Sequence, residues 1–218
     1  MKLLGFVIFT VALVIANGCN TSKFTGIRGS GNAKTETRNL SDFKQIKAGG
    51  AIKLEIAAQK DFGVSVETDD NLLEYITTEV SGDTLVIGSK GNISPSSMIS
   101  IKVSMPELVD LDISGASTAT VTGVRSDSLQ LQASGASKIK IDGEAKTLET
   151  NSSGASGIDA ENLVADNAKA EASGASSVTV NAVNNVEAIA SGASTVTYAG
   201  NPKNITQNSS GASTIKKK

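Results

Sequence analysis

Few side chains in this sequence could do chemistry. Histidine is absent, and the single cysteine, Cys19, closes an apolar N-terminal run, so everything after it lacks both imidazole and thiol. That excludes Ser-His-Asp and Cys-His catalysis, zinc sites built on Cys or His, and any disulfide framework. What remains is a set of carboxylates, Asp110, Asp112, Glu149, Asp159, Glu171 and Glu187, alternating with Lys138, Lys140 and Lys169. Glycoside hydrolysis would need two carboxylates at a fixed separation, and no pair recurs in the repeats described below. A solvated face is the expected reading, with no catalytic residues, no metal and no cofactor. Calcium-binding solenoids need Gly-Gly-x-Gly-x-Asp, which is missing; Asp142-Gly143 is read as an ordinary turn.

The chemistry expected of Cys19 is lipidation. Met1 and Lys2 form a short basic start, and Leu3 to Ile15 is an apolar run of 13 residues. Such a run suits a signal peptide and is short for a bilayer span. It ends in Ala16-Asn17-Gly18-Cys19, which resembles the lipobox of bacterial lipoproteins. Residues 1–18 are therefore expected to be a lipoprotein signal peptide. Residues 19–30, rich in Ser, Thr, Gly and Lys, are expected to tether lipid to fold. The formal charge of −2 becomes 19 basic against 22 acidic residues once Lys2 is removed. A near-neutral chain is a poor electrostatic partner for nucleic acid, and none is expected.

The elements that position these groups come from a repeat. Ser-Gly-Ala-Ser begins at Ser114, Ser134, Ser153, Ser173, Ser191 and Ser210, at spacings of 20, 19, 20, 18 and 19. Strict alternation flanks each copy: Leu129, Leu131 and Ala133 precede Gly135, and Ile139 and Ile141 follow it. Period two means strand on both sides of the glycine. Stacked, the copies form columns, Ala119-Ile139-Ile158-Val178-Val196-Ile215 and Val109-Leu129-Leu148-Ala168-Val186-Ile205. A unit of about 19 residues cannot bury its own apolar face, whereas rungs stacked at about 4.8 Å hide these columns inside a parallel β-solenoid. Gly115, Gly135, Gly154, Gly174, Gly192 and Gly211 are expected at structural corners with positive φ or a bulge. Anion-binding nests at these corners are the functional alternative. Thr150, Ser152, Gln207 and Ser209 interrupt two inner columns. An ice-binding array of Thr118, Thr120, Ser177, Thr179, Thr195 and Thr197 is broken by Lys138, Lys140, Gly157 and Asp159.

Residues 31–105 read as a less regular part of the same unit, and 106–218 as the regular repeats. One short helix is expected after Asp69 and Asp70, which can cap a turn carrying Leu72, Leu73, Tyr75 and Ile76. Asn92 to Ser97 reads as a loop. The last rung stops at Lys216-Lys217-Lys218 with no amphipathic cap, so a partner or second protomer could cover it.

The run Gly29-Ser30-Gly31-Asn32 is followed by Glu36-Thr37-Arg38, Phe43 with Ile46, and Asp70-Asn71-Leu72-Leu73-Glu74-Tyr75-Ile76. Next come Glu79-Val80, Gly82, Thr84-Leu85, Ile87, Val103 and Pro106-Glu107-Leu108, leading into Ser114-Gly115-Ala116. This pattern, over residues 28–215, resembles the bacterial putative auto-transporter adhesin family with the head GIN domain. The resemblance implies a single-stranded right-handed parallel β-helix akin to pectin lyases, often on lipoproteins of the Bacteroidetes, and attributes no catalytic residue to it. The expected function is a non-enzymatic, lipid-anchored outer-membrane protein presenting a Ser/Thr-rich flank to a glycan or protein at the cell surface. The alternative is a polysaccharide-binding or polysaccharide-degrading β-helix, to be distinguished by a groove holding two carboxylates and a basic residue.

Overall fold

Alternation on both sides of each Ser-Gly-Ala-Ser corner points every second side chain the same way. In the computed structural model, which describes residues 26–218, the resulting strands stack in parallel. The chain first forms β1 (Ile27–Arg28), β2 (Ala33–Arg38), β3 (Gln45–Ala48), β4 (Ile52–Ala58) and β5 (Gly63–Asp69). A 3-10 helix (Asp70–Tyr75) follows, then β6 (Ile76–Ser81), β7 (Thr84–Ser89), β8 (Ile93–Ser94) and β9 (Ile99–Met105). The regular part comprises β10 (Asp110–Ile113), β11 (Thr118–Ala133), β12 (Lys138–Ser152), β13 (Gly157–Ala172) and β14 (Ser177–Ala190). It ends with β15 (Thr195–Ala199), β16 (Asn204–Ser209) and β17 (Thr214–Lys217). The fold is a parallel β-solenoid with one short helix. Cys19 and the apolar lead lie outside the described residues.

The inner columns pair residue for residue. Ala119, Ile139, Ile158, Val178, Val196 and Ile215 are successive ladder partners, as are Leu129, Leu148, Ala168, Val186 and Ile205. Val109 falls just before β10 and is half-buried; its carbonyl accepts from the Gln130 N–H at 2.9 Å and its own N–H donates to the Lys44 carbonyl at 2.9 Å. Thr150 and Ser152 occupy inner positions and are buried. Their hydroxyls are satisfied: Thr150 Oγ1 donates to the Lys169 carbonyl at 3.3 Å, and Ser152 and Ser156 share a 2.8 Å hydrogen bond. Buried hydroxyls with partners are tolerated where unpaired ones would be costly.

The first part of the chain departs from a sequential coil. β3 and β4 lie between β10 and β11 on one side and β7 and β9 on the other, so the chain lays its second rung before its first. Antiparallel strands then close that end, with β6 on β7, β5 on β9 and β2 on β5. The outermost, β2, carries exposed Lys34 and half-buried Glu36, charges that disfavour a further strand. Phe43 is fully buried and meets Phe62 at 4.9 Å between ring centroids. At the other end, β16 is exposed along its whole length, and Ile205, an inward residue in the earlier rungs, is 44% exposed.

Three local expectations are corrected. Asp69 sits at the helix N-cap position without a side-chain cap bond. Residues 93–94 form β8 and pair with β1, so 92–97 is only partly loop, and the stretch expected to tether through residue 30 is already paired at Ile27.

Candidate binding faces

Each Ser-Gly-Ala-Ser corner is built from backbone contacts between rungs. The six motif glycines have φ between 73° and 79°. A Cβ on Gly135 would lie 2.7 Å from the Gly115 carbonyl oxygen, and the same relation links Gly154 to Gly135 and Gly174 to Gly154 at 2.8 Å. That carbonyl is already occupied, since Ala136 N–H donates to Gly115 O at 2.8 Å. Ser134 and Lys138 N–H groups also donate to the rung below. With these donors consumed, the corners lack the convergent free N–H groups that an anion nest needs. The last serine of the motif is buried at Ser137, Ser156, Ser176 and Ser194 and donates to backbone carbonyls, as in Ser156 Oγ to Ala133 O at 2.9 Å. Equivalent serines of neighbouring rungs are not bonded to each other; the hydroxyl pair is Ser152 with Ser156.

Charges that alternate in sequence separate in space. After the corner, the outward residues of β9, β4, β11, β12, β13, β14, β15 and β17 form two rows. One is Ser100-Lys53-Thr118-Lys138-Gly157-Ser177-Thr195-Thr214, and the other is Lys102-Glu55-Thr120-Lys140-Asp159-Thr179-Thr197-Lys216. Lysines and hydroxyls dominate here. Before the corner, the outward rows are Gln45-Asp110-Gln130-Glu149-Lys169-Glu187-Thr206 and Lys47-Asp112-Gln132-Asn151-Glu171-Ile189-Asn208. This second face is acidic. Along the chain the lysines at 138 and 140 follow a corner and the carboxylates at 110, 112, 149, 171 and 187 precede one, and rung stacking gathers each set onto one face.

On the basic face Glu55 is held by Lys53 at 2.6 Å and approached by Lys102 at 3.9 Å. The hydrogen bond from Lys53 and its charge keep the Glu55 carboxyl below the usual range. Exposed Lys138 and Lys140 have no ion-pair or hydrogen-bond partner among the described residues. A depression of about 510 Å³ opens where Gly63, Ser104, Ala57 and Thr122 leave the surface low, rimmed by Glu55, Lys102 and Thr120. Only register brings these small residues side by side, so sequence reading missed them.

The acidic face does hold a groove with two carboxylates and a base. About 380 Å³ in volume, it is lined by Glu149, Lys169 and Glu187 with Asn167, Asn185 and Asn204. The asparagines form a ladder in which Asn204 Nδ2 donates to Asn185 Oδ1 at 2.8 Å and Asn185 Nδ2 to Asn167 Oδ1. Lys169 is committed to Glu171 at 2.8 Å, an interaction that raises its pKa, as do the nearby Glu187 and Glu149 charges. Glu149 and Glu187 sit two rungs apart with Lys169 between them. Two steps of about 4.8 Å exceed the spacing that a retaining glycosidase uses and lie at the upper end of the inverting spacing, but Lys169 and its Glu171 partner fill the gap where an inverting enzyme holds its water. Asp110 on the same face is pushed up, first by burial and then by Asp112, and its Oδ1 is buried without a partner. Among the described residues no His/Cys/Asp/Glu cluster has metal-site geometry.

The most completely satisfied carboxylate is Asp69. It is 2% exposed and accepts from Gly31 N–H at 2.7 Å and Ser96 N–H at 2.8 Å. These bonds, Ser96 first, hold its pKa down against burial. It thereby pins the Gly-Ser-Gly run to the loop before β9, and a Cβ on Gly29 would meet its Oδ2 at 2.2 Å. A carboxyl depressed in the folded state stabilises at pH above its unfolded value and loses that contribution as pH falls through its folded value. Asp69→Asn should therefore lower the melting temperature at pH 7 and flatten its fall below pH 4, a difference that thermal scans at pH 7 and pH 3 would read. An identical pH slope in both proteins would show that Asp69 does not carry this dependence.

Similarity to known proteins agrees with this architecture. A crystal structure of a putative adhesin from Bacteroides fragilis superposes with a TM-score of 0.72 at 21% identity, covering 88% of this chain and 100% of that one. A putative adhesin from Parabacteroides distasonis gives 0.57 at 20% identity, covering 88% and 100%. A putative lipid binding protein from the same species gives 0.54 at 23%, covering 88% and 99%. At such identities the likeness concerns the fold. No curated protein matches the sequence. The model of the family described as putative auto-transporter adhesin, head GIN domain, matches residues 42–202, and the chain belongs to that family.

Proposed function

We propose that this protein is a non-enzymatic, outer-membrane lipoprotein adhesin that works by extended surface contact. The observation that carries the reading is the pair of outward faces, each spanning the stacked rungs with hydroxyl, amide and charged side chains in register. Many weak polar contacts can add along such a face with no dominant residue. Family membership supports a role at the cell envelope. Among the described residues no helix is long and apolar enough to cross a membrane. Attachment is assigned to lipid on Cys19, with the paired segment from Ile27 starting only a few residues later.

The test is made in cells. Cys19→Ala should release the protein from the membrane fraction, and cells carrying that variant should adhere to a glycan- or protein-coated surface no better than a deletion strain. Membrane retention of the variant would remove the anchor. Undiminished adhesion by the deletion strain would remove the adhesin role.

The Glu149–Lys169–Glu187 groove favours one second reading, a polysaccharide-acting enzyme. The purified protein is expected to release no reducing ends and no unsaturated products from polysaccharides. Turnover abolished by Glu149→Gln or Glu187→Gln would establish the enzyme instead.

A further inference from the structure

We infer that the lysine-rich face is a docking surface for a linear acidic polysaccharide, one carrying carboxylate or sulfate groups. The inference rests on the adhesin reading for its biological setting and on this face alone for its chemistry. Lys53, Lys102, Lys138 and Lys140 stand on neighbouring strands β4, β9 and β12 with Thr118 and Thr120 of β11 among them. Their charge is cancelled only in part, since Glu55 and Asp159, the latter opposite Lys140 in the ladder, are the acidic residues of the two outward rows, against Lys53, Lys102, Lys138, Lys140 and Lys216. Glu55 is shared by Lys53 and Lys102, while Lys138 and Lys140 are exposed with no polar partner among the described residues. In a chain of net charge −2 this is a concentration of positive charge on one side, opposite in sign to the acidic face.

The shape suits a linear chain. The outward rows cross the strands at about 4.8 Å per step, so lysine and threonine side chains line a track along the stack. The track runs into the 510 Å³ depression between Lys102, Ser104 and Thr122, where small residues leave room for a sugar unit. Threonine hydroxyls can both donate to and accept from sugar hydroxyls, and lysine ammonium groups meet acidic substituents as point charges. Neither outward row contains an aromatic residue. That removes the stacking platform on which single-stranded nucleic acid depends and the large apolar rings that a neutral sugar face would cover. Charge must therefore supply the selectivity. A second copy of this chain, acidic face to basic face, fits less well, because stable protein interfaces deplete charged residues from their cores.

The experiment measures binding of the purified protein to polygalacturonate, heparin and neutral dextran by calorimetry at 50 and 300 mM salt. Binding to at least one acidic polymer, not to dextran, and weakening with salt is expected. The Lys138→Glu/Lys140→Glu variant should lose at least 10-fold in affinity, while Lys146→Glu/Lys203→Glu, the same charge change at exposed positions outside these rows, keeps it. Circular dichroism and melting confirm that each variant folds. Failure of both acidic polymers, equal binding of dextran, or unchanged affinity in the lysine variant would overturn the inference, as would salt-sensitive self-association or binding to anionic phosphatidylglycerol vesicles in place of polysaccharide. The two readings fail separately. Adhesion kept by cells carrying the lysine variant would leave the adhesin and remove the acidic ligand; polymer binding by a protein whose deletion leaves adhesion intact would do the reverse.

Discussion

Gly135→Val is expected to destabilise the protein by about 2–4 kcal/mol. Two costs act together. At φ 74° a β-branched residue is strained whatever the space around it. The new Cβ would also lie 2.7 Å from the Gly115 carbonyl, which is rigid backbone and already accepts a hydrogen bond from Ala136 N–H. Relief requires the rungs to separate, which lengthens that bond and those of Ser134 and Lys138. Lys138→Ala, three residues away but pointing to solvent, should cost roughly 0.5 kcal/mol or less. Urea unfolding of both variants reads the difference, and equal midpoints would reject the stacked-corner account.

Leu148→Ala should cost about 3–5 kcal/mol, toward the upper end for such truncations. Leu148 is fully buried, between Leu129 below and Ala168 above. Its neighbouring rung presents Ala168, Ala170 and Ala172, so no large side chain is at hand to relax into the cavity. Ile205→Ala, in the same column but 44% exposed, should cost about 1 kcal/mol or less. Because rungs interact mainly with nearest neighbours, amide exchange in β11 to β13 should accelerate most in the Leu148 variant. Equal losses at Leu148 and Ile205 would show that burial does not decline toward the last rung.

The regular half of the fold was legible because its determinants are local and repeated. Period-two alternation sets the strands, the spacing of Ser-Gly-Ala-Ser sets the rung length, and aligning the copies aligns Ile139 with Ile158 as the ladder does. The first half was less legible. β3 and β4 stack beneath β10 and β11 although the paired residues, such as Gln45 and Asp110, are 65 apart in sequence, and no repeat marks β5 or β6 as antiparallel. The 3-10 helix was readable from its leucines. The role of Asp69 was not, because its partners Gly31 and Ser96 are 38 and 27 residues away.

What the sequence by itself determined is the class of fold, its rung length, its corners and the absence of imidazole and thiol chemistry beyond Cys19, since each follows from residue type and short-range period. What only the tertiary structure decided is where the charges meet. Most of the lysines follow a corner and most of the carboxylates precede one, and the solenoid collects one side of every corner into a face with net positive charge and the other into an acidic one. The depression beside Lys102 arises in the same way, from Gly63, Ala57, Ser104 and Thr122 on four strands. The physical reason is that strand pairing converts separation along the chain into a spacing of about 4.8 Å across it, and that conversion depends on register and strand order, which local patterns do not carry.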